Sequence, residues 1–340
     1  MPGSARVLIP DAQFEGGPEV EQQVLGAAVT IEVHRAITSA EIPDASWASC
    51  DAVIVWHVME IPAALAERLA RCRIIVRSGI GYDRIDVVAC ARHGIPVCNV
   101  PTYDITDVVN STIAMTLALM RGLLSYHEAL KADLRAGWRW EGPPVLRRVR
   151  GQRFAVIGCG RIGTAVSLRA RALGMRVGYF DPYLPPGHEL SLDLRRFHRL
   201  EDALAWADAV SLHTPLNQET ANMIDARAVA AMKSGILLVN CARGGLVDLD
   251  ALEAGIRSGR IAGAALDAFP LEPPAPHPLL TAWAKDEDWI RGRLCITPHS
   301  SWYSRATLDD IRRDAATTVA DRLATGTLRN CVNRNFLEAG

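Results

Sequence analysis

Three side chains of the sequence have the chemistry to assist hydride transfer to and from a carbonyl carbon: Arg243, Glu272 and His299. A guanidinium binds a carboxylate with two donors and can polarise a neighbouring carbonyl oxygen. An imidazole titrates near neutrality and can give that oxygen a proton, and a carboxylate beside the imidazole favours its protonated form. These residue types therefore indicate hydride transfer involving a small 2-oxo or 2-hydroxy acid.

Each of the three residues also has a purely structural alternative. Arg243 could anchor a turn, Glu272 could be a solvated loop residue, and a histidine chosen blindly is more often a core or surface residue than a catalyst. The catalytic interpretation is favoured because all three follow predicted strands in the half of the chain that carries a nucleotide-binding motif. The carboxyl ends of parallel strands meet at one edge of a sheet, where ligands bind.

The nucleotide-binding motif is the Gly-Cys-Gly-Arg-Ile-Gly run at residues 158–163. It follows a predicted strand and opens a predicted helix, which is the context that such a glycine pattern needs. Gly158 permits the tight turn, Gly160 lets the backbone approach a pyrophosphate, and Gly163 allows close packing of helix on strand. The amides and dipole at the helix start then favour the phosphate charge.

Asp181 lies at the end of the next predicted strand and suits the ribose hydroxyls as an acceptor. Its charge would repel a 2′-phosphate, and the residues that follow it, Pro182 and Tyr183, include no arginine that could hold one. We therefore predict NAD rather than NADP as the cofactor.

The second half of the chain alternates between strand-length apolar runs and helical patterns. This alternation implies right-handed βαβ crossovers and a doubly wound parallel sheet. The predicted strands are 153–157, 176–180, 209–213, 236–240, 263–267 and 294–297, and the predicted helices are 161–173, 200–206, 226–232 and 249–258.

The first half repeats this pattern more loosely, with strands at 6–9, 52–56, 74–76 and 97–99 and helices at 62–72 and 85–92. A long amphipathic stretch, 105–124, is predicted to bridge the halves, and a helix at 304–325 is predicted to return to the first domain. The fold class is thus α/β, with two doubly wound Rossmann-like domains, parallel sheets and an active site in the interdomain cleft. The substrate-binding domain is predicted at 1–102 with 303–340, and the NAD-binding domain at 103–302.

Composition excludes several other functional classes. The 340 residues carry 37 basic and 38 acidic side chains, and a net charge of −1 gives no electrostatic footprint for nucleic acid or an acidic membrane. No signal peptide is visible, and no apolar stretch approaches the roughly 18 residues that a membrane helix needs. The eight cysteines show no Cys-x-x-Cys pair and no zinc spacing, so we expect no metal and a reducing, cytoplasmic location.

Four motifs together resemble the D-isomer-specific 2-hydroxyacid dehydrogenases over essentially the whole chain. They are Val-Ile-Gly-Cys-Gly-Arg-Ile-Gly with Tyr-Phe-Asp-Pro-Tyr, then Leu-Val-Asn-Cys-Ala-Arg-Gly-Gly-Leu-Val-Asp, then Ala-Leu-Asp, and finally Thr-Pro-His. The resemblance implies that Arg243, Glu272 and His299 form the catalytic set. Within the family, Tyr-Phe-Asp-Pro-Tyr-Leu, His-Ser-Ser-Trp-Tyr-Ser and Asn-Cys-Val-Asn are most similar to the C-terminal-binding protein branch.

The same resemblance implies further roles. Arg77 would bind the substrate carboxylate, the amides around Ser78 and Gly79 would face the substrate, and Trp302 would line its pocket. The bridging helix would be the contact of a homodimer. The cofactor contacts implied are Thr112, Gly158, Gly160, Arg161, Ile162, Gly163, Asp181, Thr214, Asn217, Cys241, Ala242, Arg243, Asp267 and His299.

The sequence departs from the branch at Ile80, where the branch has a serine, and in a longer stretch between Glu272 and His299. Its first fifty residues match loosely, so no peptide-binding groove is inferred. Two alternatives to the dehydrogenase remain open: a dimeric scaffold that senses NAD(H) with little turnover, and oxidation of another small anion such as formate or phosphite.

Overall fold

The computed structural model describes residues 5–101 and 105–338. The chain divides into two compact units: unit 1 comprises Met1–Asp104 with Ser304–Gly340, and unit 2 comprises Ile105–Tyr303. The sequence places the boundaries after residues 102 and 302, and the assignment of unit 1 to substrate binding stays a prediction.

The N-terminal part of unit 1 supplies a five-stranded parallel sheet. The strand order is β2-β1-β3-β4-β5, which requires crossovers on both sides of β1. The elements, in chain order, are β1 (Arg6–Ile9), α1 (Glu19–Leu25), β2 (Thr30–Val33), α2 (Asp44–Ser49), β3 (Ala52–Val55), α3 (Ala63–Ala66), β4 (Ile75–Arg77), α4 (Val87–Arg92) and β5 (Val97–Asn99).

Unit 2 contains a seven-stranded parallel sheet of order β12-β11-β10-β9-β6-β7-β8. Its elements are α5 (Thr106–Met120), α6 (Leu123–Ala132), β6 (Arg153–Ile157), α7 (Arg161–Ala172), β7 (Arg176–Phe180), α8 (His188–Leu192), β8 (Arg195–Phe197), α9 (Leu200–Trp206), β9 (Ala209–Leu212), α10 (Ala226–Ala231), β10 (Ile236–Asn240), α11 (Leu249–Arg257), β11 (Ile261–Leu266), α12 (Pro278–Ala284) and β12 (Leu294–Ile296).

The chain then returns to unit 1 through α13 (Arg305–Thr325) and α14 (Arg334–Leu337). Ser304 caps α13 by accepting the amide of Thr307 at 3.2 Å. A buried ion pair joins this helix to α1, because Arg312 donates to both carboxylate oxygens of Glu21 at 2.8 and 2.6 Å. The C-terminal helix therefore packs on the N-terminal residues, as the sequence predicts.

The seven-stranded sheet is covered on both faces, as its continuous apolar strands indicate. In β6, Phe154 and Val156 join one core cluster, whereas Ala155 and Ile157 join the cluster on the opposite face. All five residues of β10 are buried. Each large apolar side chain buried in this way contributes about 1.5–3 kcal/mol of transfer free energy, so the sheet is a rigid support for the loops at its edge.

The prediction of a single bridging helix over 105–124 is wrong. The structure contains two helices, α5 and α6, with a bend of 62° between them. Gly122 causes the break: it adopts φ 60°, and a Cβ at this position would lie 2.6 Å from Pro143 Cβ. The left-handed backbone and the close approach of Pro143 both require glycine.

Other differences from the prediction concern element ends and sheet edges. The helix predicted at 62–72 is regular only over Ala63–Ala66, because the amides of Arg68 and Leu69 then bond three residues back in tighter turns. The edge strands β2 and β8 escaped prediction because each mixes polar and apolar residues and is partly exposed. Edge strands need less burial, so the apolar signal is weak there.

No single helix of the described residues has the length and apolarity to cross a bilayer. The bent pair α5–α6 passes that test by length and composition alone, and seven residues of α5 are buried in the protein.

Candidate active site

The three predicted catalytic residues follow three neighbouring parallel strands of unit 2. Arg243 lies three residues beyond β10, Glu272 six beyond β11, and His299 three beyond β12. Adjacent strands in a sheet are about 4.8 Å apart. The topology thus delivers a guanidinium, a carboxylate and an imidazole to one stretch of the carboxyl edge.

His299 and Glu272 form a direct pair. The Nδ1 atom of His299 lies 2.8 Å from Glu272 Oε2, and the other carboxylate oxygen accepts the amide of Phe269 at 3.0 Å. The two side chains are 19% and 23% exposed, so the pair is partly shielded yet still reachable by a small molecule. A carboxylate held in this way fixes the orientation of the imidazole.

Asp267 organises the turn that carries His299. Its side chain is buried, and Oδ1 accepts Thr297 Oγ1 at 2.5 Å and the amide of Ser300 at 2.9 Å, while Oδ2 accepts the amide of Ser301 at 3.0 Å. His299 itself adopts φ 52°, a left-handed backbone that is uncommon for residues other than glycine. The hydrogen bonds to Asp267 compensate for this strain, so Asp267 positions the histidine.

Arg243 stands in a turn that is held by Asn240. The side-chain Nδ2 of Asn240 donates to the carbonyl of Arg243 at 2.8 Å, and its Oδ1 accepts the backbone amide of Ala242 at 3.0 Å. Next to the arginine, a Cβ on Gly244 would lie 1.8 Å from the carbonyl carbon of Phe269. Glycine therefore lets the Arg243 turn press against the segment that ends in Glu272. Asn240 was not among the predicted site residues, although it lies in the Val-Asn-Cys-Ala-Arg motif.

The glycine loop between β6 and α7 fits a dinucleotide. Gly158 has φ 86°, and a Cβ there would be 2.8 Å from the carbonyl oxygen of His213. A Cβ on Gly163 would be 2.0 Å from the carbonyl oxygen of Gly158, whereas one on Gly160 would meet no protein atom within 4 Å. Protein packing thus explains the first and third glycines, and the second leaves room for a ligand to approach the backbone.

Asp181 follows β7 directly and lies against the glycine loop. Its Oδ2 accepts the amide of Cys159 at 2.9 Å, and Oδ1 accepts the amide of Tyr183 at 3.0 Å. Arg196, from the overlooked strand β8, donates to carbonyls of the loop that follows Asp181, those of Leu184 at 2.7 Å and Pro185 at 2.9 Å. Backbone carbonyls therefore engage this guanidinium.

The loop after β9 is held by its own polar groups. Asn217 Oδ1 accepts the amides of Glu219 at 2.9 Å and Thr220 at 3.0 Å, which makes the asparagine a local turn former. Thr214 Oγ1 contacts Met223 Sδ at 3.5 Å. Their predicted cofactor contacts stay predictions.

Thr112 and Cys241, two further predicted cofactor contacts, are buried in unit 2, as Asp267 is, and the cofactor roles of all three stay predictions. Thr112 is fully buried, and its hydroxyl donates to the carbonyl of Val108 at 2.8 Å. Cys241 contacts Met115 Sδ at 3.5 Å, and burial raises the pKa of its thiol to about 12. Trp302 is half-buried and packs against the same cluster, with Tyr303 edge-on at a centroid distance of 5.6 Å. The remaining predicted contacts, Arg161, Ile162 and Ala242, lie in the glycine and arginine turns.

The predicted substrate-binding residues of unit 1 lie at the carboxyl end of β4 and in the turn that follows it. Arg77 is the last residue of β4, and the guanidinium folds back to donate to the carbonyl of Ser78. The amide of Ser78 donates to the carbonyl of Val55 at 2.8 Å. Gly79 has φ 131°, and a Cβ there would lie 1.9 Å from Arg77 Nη1. Glycine is therefore required where the guanidinium crosses the loop.

No cluster of three or more His, Cys, Asp or Glu side chains within residues 5–101 and 105–338 is arranged to hold a metal ion.

Comparison with known proteins places this geometry in a family. Residues 113–301, more than half of the chain, match the family model described as D-isomer specific 2-hydroxyacid dehydrogenase, NAD binding domain. The chain is 30% identical to C-terminal-binding protein 1 of Caenorhabditis elegans over 98% of this chain and 46% of that protein. It is 33% identical to D-3-phosphoglycerate dehydrogenase of Mycobacterium leprae (strain TN) over 86% of this chain and 52% of that protein.

The chain thus spans about half the length of the curated relatives it matches. Among solved structures, the TT0316 protein of Thermus thermophilus superposes with a TM-score of 0.81 at 30% identity, covering 96% of this chain and 99% of that one. The family match covers the glycine loop, Asp181, the Arg243 turn and the His299–Glu272 pair. This chain belongs to the D-isomer specific 2-hydroxyacid dehydrogenase family of NAD(P)-binding oxidoreductases.

Proposed function

We propose that the protein is an NAD-dependent dehydrogenase that transfers a hydride between NAD(H) and a small 2-oxo or 2-hydroxy acid, acting on the D-isomer. The observation that carries the proposal is the His299–Glu272 pair, with 2.8 Å between Nδ1 and Oε2, on strands next to the Arg243 turn. Family membership supports the reaction class.

The dinucleotide supplies or accepts the hydride when it is bound. His299 exchanges a proton with the substrate oxygen through Nε2, because Nδ1 faces Glu272. Glu272 keeps the imidazole oriented and stabilises its charge while the proton is held there. Arg243 holds the carboxylate of the acid and polarises the carbonyl that is reduced.

Unit 1 is proposed to bind the substrate. In this account Arg77 is a second ligand of the carboxylate, the amides of Ser78 and Gly79 face the acid, and Trp302 of unit 2 limits its side chain. The support is the placement of Arg77 at the carboxyl end of β4, where ligands of parallel sheets bind.

NAD is proposed over NADP because Asp181 ends β7 beside the glycine loop. A carboxylate accepts hydrogen bonds from ribose hydroxyls and repels a 2′-phosphate. Arg196, from the neighbouring strand β8, donates to carbonyls of the loop that follows Asp181.

A panel of 2-oxo acids of increasing size tests the proposal, with NADH and NADPH as alternative reductants. We expect loss of NADH absorbance with at least one acid, and a higher kcat/KM with NADH than with NADPH. Absence of turnover with every acid, in protein that binds NADH tightly, would contradict the enzyme and support the NAD(H)-sensing scaffold. The similarity to C-terminal-binding protein 1 over 98% of this chain is what keeps that second candidate in view.

A homodimer is proposed from the surface around α6. None of the ten residues of α6 is buried, and the following loop exposes Trp138 and Trp140 at 78% and 82%. The loop is nevertheless folded, since Tyr126 donates to the carbonyl of Trp140 at 2.6 Å. Exposed apolar patches of this kind mark association sites, and a twofold axis lets the same patch serve both copies.

Light scattering of the purified protein tests the dimer. We expect a mass of two chains for the wild type and of one chain for Trp138→Glu combined with Trp140→Glu. A wild type that is monomeric at assay concentrations would contradict the proposal. We also propose a reducing, cytoplasmic location, which the eight free cysteines support.

A further inference from the structure

A buried carboxylate lies at the carboxyl edge of the unit 1 sheet, outside every motif discussed above. Asp11 follows β1 by two residues, and its exposed fraction is 0%. Aspartate is almost never fully buried unless its charge is compensated. The groups that compensate Asp11 therefore indicate what it holds in place.

Three backbone amides from the segment after β3 donate to Asp11. Trp56 donates to Oδ1 at 2.8 Å, and Val58 and Met59 donate to Oδ2 at 3.0 and 2.8 Å. Hydrogen bonds to an ionised acceptor are about twice as strong as neutral ones. One side chain from β1 thus fixes the conformation of residues 56–59.

The same carboxylate interacts with the guanidinium of Arg77. Strand β3 lies between β1 and β4, and its residue Val55 pairs with Arg77 in the ladder. Burial raises the pKa of Asp11 to about 6, while the three amides and the positive charge of Arg77 act in the opposite direction. Asp11 is therefore mainly ionised at neutral pH and attracts the guanidinium.

The backbone next to Arg77 is already fixed by other contacts. The backbone amide of Val100 donates to the carbonyl of Gly79 at 3.0 Å, and the side-chain amide of Asn99 donates to the carbonyl of Ile80 at 2.7 Å. The guanidinium donates to the carbonyl of Ser78, and the amide of Ser78 donates to Val55, the residue before Trp56. The segment fixed by Asp11 therefore supports the group that holds the guanidinium. A guanidinium that is already oriented loses less freedom when a ligand binds.

We propose that Asp11 is a positioning residue, which orients Arg77 and the 56–59 segment so that Arg77 binds the carboxylate of the acid. The inference rests on the proposed function of Arg77. Because the hydride and proton groups stand in unit 2, Asp11 contributes to substrate binding and not to the chemical step. Its loss should therefore raise KM and leave kcat unchanged.

Asp11→Asn tests this role, with Asp51→Asn as the matched control. Asp51 is also a unit 1 carboxylate bonded to a backbone amide, that of Arg6 at 2.9 Å, but it precedes β3 at the opposite end of the sheet. We expect Asp11→Asn to raise KM for the acid about tenfold, with kcat and the Kd of NADH unchanged. Asp51→Asn should leave KM unchanged. Asp11→Glu, which keeps the charge, should raise KM less than Asp11→Asn.

A double-mutant cycle with Arg77→Gln separates positioning from general support of the fold. If Asp11 acts through Arg77, Asp11→Asn adds no further rise in KM in the Arg77→Gln background. An equal rise in both backgrounds, or none in the wild-type background, would overturn the inference.

A failure of the proposed function would be recognised separately, because the wild type would then show no turnover. In that case the same variants are compared by calorimetry for binding of oxamate, an unreactive analogue of a 2-oxo acid, to the NADH complex. About tenfold weaker binding by Asp11→Asn than by the wild type and Asp51→Asn supports the inference. Equal binding by all three, or no binding by the wild type, overturns it.

Discussion

The carboxyl edges of the two sheets hold their polar groups in different ways. In unit 2, each functional residue is fixed by groups from its own or the adjacent loop: Asn240 holds the Arg243 turn, and Asp267 holds the turn of His299. In unit 1, Asp11 from the end of β1 holds residues that follow β3 and attracts Arg77 at the end of β4. A short motif encodes the contact of Asn240, whereas the contacts of Asp267 and Asp11 form only when the sheets fold.

The two units also differ in how a buried ionisable group is kept. His213 of unit 2 lies 2.9 Å from Ser211 Oγ, and burial lowers the pKa of its imidazole to about 3, so the ring is neutral. Asp11 of unit 1 is buried with compensating donors and stays mainly ionised at neutral pH. Both residues follow a strand at the carboxyl edge of their sheet, but the imidazole is kept neutral whereas the carboxylate is kept charged.

The largest effect is expected from His299→Asn, which tests whether the unit 2 edge carries the chemistry. Loss of the proton donor should lower kcat on the order of 10² or more, with the Kd of NADH unchanged. His277→Asn is the matched control, since His277 also pairs with a carboxylate, Asp250 at 3.1 Å, away from the sheet edge. Steady-state kinetics and NADH titration decide; equal turnover of His299→Asn and wild type removes His299 from the mechanism.

A second contrast separates packing from ligand contact within the glycine loop. Gly163→Ala should destabilise unit 2 by about 3 kcal/mol or more, because its Cβ would lie 2.0 Å from a backbone oxygen. Gly160→Ala should leave the melting temperature unchanged and weaken NADH binding about tenfold, since a new methyl group would occupy ligand space. Thermal unfolding and fluorescence titration of both variants measure these effects. Unaltered NADH binding by Gly160→Ala would show that this glycine does not face the dinucleotide.

Asp181→Asn tests the choice of cofactor. Removing the negative charge should lower the preference for NADH, measured as kcat/KM with NADH divided by kcat/KM with NADPH, by about tenfold. A tenfold change corresponds to the interaction energy of one pKa unit. Kinetics with both reductants measure the ratio, and the melting temperature checks that the loop survives. A ratio equal to that of the wild type would show that Asp181 does not select the cofactor.

The smallest effect concerns stability against pH and sharpens the contrast between the two buried groups. Because the pKa of Asp11 is raised in the folded state, folding favours its protonated form, and its contribution falls as pH rises from about 4 to about 6. The pKa of His213 is lowered, so its contribution falls as pH drops below about 6.5. The free energy of unfolding is measured by urea titration between pH 4 and 7 for the wild type, Asp11→Asn and His213→Gln. Asp11→Asn should lose the decrease in stability from pH 4 to 6, and His213→Gln should lose the decrease below pH 6.5. Identical pH profiles for the three proteins would contradict both assignments.

The sequence predicts the features that depend on local geometry. The glycine loop could be predicted because each of its glycines answers a steric demand within a few residues, and the strands of the sheet centre because they are continuously apolar. The bend at Gly122 escaped prediction because it depends on Pro143, twenty-one positions away, approaching the helix. Asp11 escaped for a related reason: its partners follow β3, more than forty positions away, and no spacing records such contacts.

We propose that a hydride passes directly between the dinucleotide and the α-carbon of the acid at the His299 edge. Reduction of a 2-oxo acid with NADH that carries deuterium at both positions of the reactive nicotinamide carbon tests it, with the product examined by mass spectrometry and chiral chromatography. We predict one deuterium on the α-carbon of a single product, the D-2-hydroxy acid. Deuterium released to water, an unlabelled product or the opposite enantiomer would contradict the account.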